Sequence, residues 1–128
     1  MQINPIDVIE KGVVTPSEFT KVQQVGIDCS LKDTIHLENL QSVNVLFNET
    51  INLPLEMFAL FYVRSSYSRK GIFISGGVYD PGYHGSIGCT IYNLSGSPID
   101  INMGERIGQL ICFEAKAAGP YNGQWQGK

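Results

Sequence analysis

Residues 57–114 read MFALFYVRSSYSRKGIFISGGVYDPGYHGSIGCTIYNLSGSPIDINMGERIGQLICFE, and this stretch decides the fold. Short apolar runs recur in it, and turn residues break each one. Met57–Val63 is apolar and aromatic, and Gly71–Ser75 follows the cationic pair Arg69-Lys70. Val78–Asp80 runs into Pro81-Gly82, a strong turn signal. Ser86–Asn93 is rich in β-branched and aromatic residues, Ser95-Gly96-Ser97-Pro98 breaks it, and Ile99–Ile101 and Ile107–Glu114 resume the pattern. Runs of this length with such punctuation predict an all-β sandwich or barrel. Further candidate strands lie upstream at Gly26–Leu31, Thr34–Leu37 and Val43–Phe47, giving eight to ten in all. One turn of helix is predicted after Pro16, over Ser17–Gln23.

The composition agrees. A chain of 128 residues with 43% hydrophobic side chains builds one core and one domain. Nine basic against twelve acidic residues give a net charge of −3, which argues against nucleic acid as a partner. Only 16% of residues are charged, below the usual ~25%, so part of the surface is expected to meet another subunit. No apolar run approaches the ~18 residues of a membrane helix, and no secretory leader is read at the start. Cys29, Cys89 and Cys112 lie far apart in apolar surroundings, without zinc spacing or an even count. They are expected to be free core residues of a cytoplasmic protein. Residues 1–115 read as the β domain. Lys116–Lys128 is Gly- and Gln-rich with Tyr121 and Trp125 as its bulky groups, and reads as an arm that docks on a surface.

Three segments carry chemistry. Arg64-Ser65-Ser66-Tyr67-Ser68-Arg69-Lys70 offers hydroxyl donors and cations where a strand ends, the pairing that polyphosphate needs, although a solvated loop has the same composition. Gly76-Gly77-Val78-Tyr79-Asp80-Pro81-Gly82-Tyr83-His84-Gly85 lets the backbone approach a ligand and sets a carboxylate, Asp80, at a turn. His84 reads as an exposed turn residue. Gly104-Glu105-Arg106-Ile107-Gly108-Gln109-Leu110 enters a strand. Arg106 and Gln109 are three apart there, so they face opposite sides unless a bulge intervenes.

In order, these segments and Val25-Gly26-Ile27-Asp28-Cys29-Ser30-Leu31 resemble the motifs of the dUTPase / dCTP deaminase superfamily. The resemblance implies a distorted jelly roll assembled as a homotrimer, with sites between subunits, and a deoxynucleoside triphosphate held with Mg2+. It implies dUTP hydrolysis to dUMP and pyrophosphate. The alternatives are dCTP deamination and a non-catalytic nucleotide-binding or regulatory role. The deaminase pattern has a glutamate ten positions beyond the aspartate matching Asp80; here that position is Thr90, a poor proton shuttle. Arg64–Arg69, Asp80–Tyr83 and the Gln-rich tail nonetheless resemble the deaminase branch.

The implied roles follow residue by residue. Asp80 orients the attacking water and accepts the sugar 3′-hydroxyl, Tyr83 packs on the deoxyribose, and the backbone of Gly76 and Gly77 reads the base. Arg64, Ser65, Ser66 and Gln109 meet phosphate, with Arg106 bracing them, and Asp28 contacts the metal through water. Trp125, from another subunit's arm, covers the base, and Arg69 or Lys128 supplies charge at the γ-phosphate.

Overall fold

A computed structural model describes all residues from Met1 to Lys128 and shows an all-β chain. Its strands are β1 (Val14–Thr15), β2 (Lys21–Val22), β3 (Ile27–Ser30), β4 (Ile35–Leu37), β5 (Ser42–Asn52) and β6 (Met57–Val63). They continue with β7 (Ile72–Ile74), β8 (Gly77–Tyr79), β9 (His84–Asn93), β10 (Ile99–Ile101) and β11 (Arg106–Glu114). Every pairing between strands is antiparallel. One sheet has the order β1-β5-β9-β7, a second β2-β3-β11-β6-β8, and β4 pairs with β10 in a separate ribbon. A jelly roll fits this arrangement. No helix is long and apolar enough to cross a membrane.

One cluster of 22 buried apolar residues draws on both large sheets. Phe47 from β5 meets Phe61 from β6 edge-on, ring centroids 4.9 Å apart. Phe61 also fixes a glycine: a Cβ on Gly108 would lie 2.2 Å from its ring. The cysteines are free, as expected, and burial raises the thiol pKa of Cys29 and takes Cys89 to about 12 and Cys112 to about 11. None is a ready nucleophile.

The one helical expectation needs correction. Ser17–Gln23 forms no helix. Its hydroxyls turn inward to a buried acid, and β2 occupies Lys21–Val22. The first helix is instead α1 (Pro5–Glu10), which Asn4 caps by accepting the Ile6 N–H at 2.9 Å, with Pro5 in the first turn. A single turn, α2 (Ser65–Ser68), follows Arg64. Strand β5 runs well past Phe47, because its inward positions continue as Val45, Phe47, Glu49 and Ile51.

Candidate functional site

Two ends of β6 matter. At one, the chain leaves Val63 and Arg64 turns back over β11. The Arg64 N–H donates to the Ile107 carbonyl at 2.9 Å, and its Nη1 to the Arg106 carbonyl at 2.8 Å. Its Nε lies 3.4 Å from Oδ2 of Asp28, which is 1% exposed. That oxygen also accepts from Gln23 Nε2 at 2.7 Å, while Oδ1 of Asp28 has no partner. An unpartnered buried carboxylate oxygen is costly, and such atoms gather where a ligand is expected.

Gln109 sits directly across from Asp28 on the neighbouring strand, with Tyr62 on its other side. The register of β11 on β3 slips between Arg106 and Gly108, a bulge of one residue. Arg106 therefore stands opposite Ser30 and Gln109 opposite Asp28, and Ser30 and Asp28 share a face. The bulge removes the conflict that spacing alone predicts, and both side chains belong to one surface. Arg106 Nη1 donates to the Phe19 carbonyl at 3.3 Å, and its buried Nε is unpartnered. Gly26 is required beside them, since a Cβ there would be 2.7 Å from Gln109 Cγ and 2.8 Å from the Leu110 carbonyl.

The α2 turn presents Ser65, Ser66 and Arg69 to solvent. Tyr67 anchors it by donating to Glu105 Oε1 at 2.8 Å. Burial, then that bond, pushes the Tyr67 pKa up to about 12, so the phenol stays a donor at neutral pH. Asp28, Arg64, Ser65, Ser66, Arg106 and Gln109 thus gather at one end of the sheet.

Asp80 and Tyr83 do not join them. Strand β8 pairs Gly77 with Phe61 and Tyr79 with Ala59, so Asp80 falls level with Phe58, six residues from Arg64. At ~3.3 Å per residue the two lie about 20 Å apart along β6. Gly76 and Gly77 stand between, with Gly77 midway, level with Phe61. Asp80 is exposed, and its carbonyl accepts the Tyr83 N–H at 3.0 Å. Tyr83 is buried, donates to the Ser86 carbonyl at 2.7 Å and packs between Tyr79 and Tyr121.

The arm lies on this turn of its own chain. The Tyr121 N–H donates to the Pro81 carbonyl and that of Gly127 to the His84 carbonyl, both at 2.8 Å. Gln126 accepts from the His84 N–H at 2.9 Å and donates to the Gly82 carbonyl at 2.9 Å. Ser86 donates twice to the Lys128 carbonyl. Trp125 stands 61% exposed on this arm. His84 is exposed, as expected. A shallow cavity of about 550 Å³ between the arm and β6 is lined in part by Asp80, Pro81 and Tyr121.

Thr90 pairs across from Asn44 and donates to its Oδ1 at 2.6 Å, while the Thr90 N–H reaches Ser75 Oγ at 3.0 Å. Sequence reasoning missed Gln23, Glu105 and the buried Glu49. For Glu49 the signal was present: an acid standing at an inward position of an alternating strand.

The sequence profile of the dUTPase family matches residues 15–124. The chain belongs to the dUTPase family. Among curated relatives, this dUTPase-family chain is 36% identical to a dCTP deaminase of Pyrococcus furiosus over 85 residues, 65% of this chain and 54% of the relative. It is 30% identical over 91 residues, 71% of the chain, to a Pol polyprotein of ovine maedi visna related virus, of which the match covers 8%. The chain spans about half the length of the curated dCTP deaminases it matches. The fold is shared with solved dUTPases. That of Staphylococcus bacteriophage 80alpha, bound to dUPNHPP, superposes with TM-score 0.71 at 20% identity, covering 87% of this chain and 86% of the other. That of EIAV does so with TM-score 0.69 at 23% identity, covering 85% and 95%.

Proposed function

We propose that this chain is a dUTP diphosphatase, acting as a homotrimer. The observation that carries the reading is position 90. A deaminase needs a titratable group there, and Thr90 is a hydroxyl tied to Asn44, whereas the cation, hydroxyl and glutamine set at Arg64, Ser65, Ser66 and Gln109 suits phosphate. The separation of Asp80 from Arg64 supports the assembly. Two groups about 20 Å apart in one chain serve one phosphorus only when different protomers supply them.

In this reading Asp80 accepts a proton from a water whose oxygen attacks the α-phosphorus. The bond from that phosphorus to the oxygen bridging the β-phosphorus breaks, and dUMP and pyrophosphate leave. Arg64, braced through the Arg106 carbonyl, and the Ser65 and Ser66 hydroxyls hold phosphate oxygens, and Gln109 adds an amide donor. Arg69 or Lys128 faces the γ-phosphate. Gly76 and Gly77 offer backbone groups to the base, Tyr83 borders the sugar, and Trp125 stacks over the base.

Magnesium fits the donor set as a hydrated ion. No group of three acidic, histidine or cysteine side chains stands ready to cage a metal, but Asp28 Oδ1, buried without a partner, is the acceptor that would take a hydrogen bond from a metal-bound water. When bound, Mg2+ neutralises developing phosphate charge. Coordination of a structural Mg(II) ion is described for a variant of the dUTPase from phage phi11 of S. aureus.

Similarity to the archaeal dCTP deaminases favours deamination as the second reading. Incubation with Mg2+ and either nucleotide separates them. Pyrophosphate from dUTP is expected, ammonia from dCTP overturns the assignment, and release of neither leaves a nucleotide-binding or regulatory member of the family.

A further inference from the structure

Glu49 is fully buried and has no cation for a partner. It sits where β5 leaves its pairing with β9: between Leu46 and Thr50 the register slips by two residues, and Phe47 bridges to Leu31 instead. The slip carries the carboxylate across the core to the other sheet. Four donors meet it there. Ser30 gives its N–H to Oε1 at 2.7 Å and its hydroxyl to Oε2 at 2.9 Å. Ser17 Oγ and Thr20 Oγ1 donate to Oε2 at 2.8 and 2.6 Å.

A carboxylate at an inward position of a strand whose other inward residues are Val45, Phe47 and Ile51 is a poor choice for packing alone, because an apolar side chain would bury at no desolvation cost. What it binds is informative. Ser17 and Thr20 flank Phe19, and the Phe19 carbonyl is the group to which the Arg106 guanidinium donates. The Phe19 ring also covers Gly104, where a Cβ would come within 2.8 Å of it. Arg106 in turn offers its carbonyl to Arg64. Ser30 ends the strand that carries Asp28, the partner of Arg64. The acid therefore holds both sides of one ion cluster.

We infer that Glu49 is a positioning residue: through Ser17, Thr20 and Ser30 it sets the Asp28, Arg64 and Arg106 groups for the polyphosphate of a nucleoside triphosphate. This rests on the reading that the cluster faces phosphate. It predicts loss of affinity confined to the part of the ligand those groups touch.

The test measures calorimetric affinity in Mg2+ for the non-hydrolysable analogue dUpNHpp and for dUMP. Thr20→Val deletes the shortest bond to the acid, and with it the acceptor of the Ser17 N–H at 2.8 Å, at equal volume; it is expected to weaken dUpNHpp about tenfold or more, with dUMP within twofold. Thr20→Ser should restore the wild-type value. Glu49→Gln, which keeps the Ser30 N–H bond, should move the same way and further. If it fails to fold, the Thr20 pair decides. Parallel weakening of both ligands would mean a general structural role and would overturn the inference, as would a Thr20→Val protein that binds dUpNHpp normally. If the variants show the split but the wild type does not hydrolyse dUTP, the diphosphatase reading alone fails; a wild type that binds no dUpNHpp sinks both.

Discussion

The two ends of β6 are built in opposite ways. At the Arg64 end, half-buried cations are tied through backbone carbonyls and buried acids, beside strands paired on both sides. At the Asp80 end the carboxylate is exposed, on a glycine turn fastened to a polar arm. A rigid cluster suits groups that must hold polyphosphate without reorganising. An exposed acid suits insertion into a neighbour's site. The sharpest way to break this contrast is complementation. Asp80→Asn and Arg64→Gln should each lower dUTP turnover by about 10²–10⁴, the usual worth of a general base or a phosphate clamp. Refolding the two together should restore part of the activity, because some mixed sites would join an intact Arg64 to an intact Asp80. A mixture as inactive as its components would place both residues in one chain's site.

Glycine substitutions sharpen the difference in rigidity. Gly26→Ala sets a Cβ against the Leu110 carbonyl and Gln109, and the backbone on that side is held by the sheet. It should cost about 1–3 kcal/mol in urea unfolding, as overpacking does. Gly119→Ala, on the arm, meets nothing within 4 Å and should leave stability unchanged. Equal effects would erase the distinction between a fixed end and a loose one.

The arm end is tested next by Trp125→Ala. The ring is mostly exposed and the residue's hydrogen bonds run through its backbone, so melting should not change. Loss of base stacking, worth about 1–3 kcal/mol, should raise KM for dUTP roughly tenfold with little change in kcat.

The strands from Met57 onward were readable because they are apolar runs, most of them separated by stretches holding glycine, proline or serine, and turn chemistry is local. Helix α1 was missed although Asn4-Pro5 is a sound start signal, since six residues give too little periodicity to announce a helix. The region of residues 17–23 misled for a different reason. Its hydroxyls bond to Glu49, some thirty residues away, and that partner is invisible to any local window. The conflict between Arg106 and Gln109 was likewise posed by the sequence and answered by a bulge that only strand register reveals. The ordered motifs identified the family, but the gap between Asp80 and Arg64 comes from how β8 lies along β6.

The smallest expected effect belongs to neither end and serves as their control. On the β4–β10 ribbon, His36 stands opposite Asp100, its Nδ1 2.7 Å from that carboxylate and its Nε2 3.2 Å from Glu38. Hydrogen bonding to Asp100 first, then Glu38, raises its pKa above 6.5, and the ring is exposed. A cation stabilised only in the folded state contributes fully below the unfolded pKa, and the contribution is lost as pH rises through the folded one. The Tm of the wild type should therefore fall relative to His36→Gln as pH rises above about 6.5, modestly, because exposed pairs are screened. Added salt should shrink the difference. Turnover measured across the same range should be identical in the two proteins once each is folded. A pH limb in kcat that disappears with His36 would tie the ribbon to the site and undo the division of the molecule into two working ends.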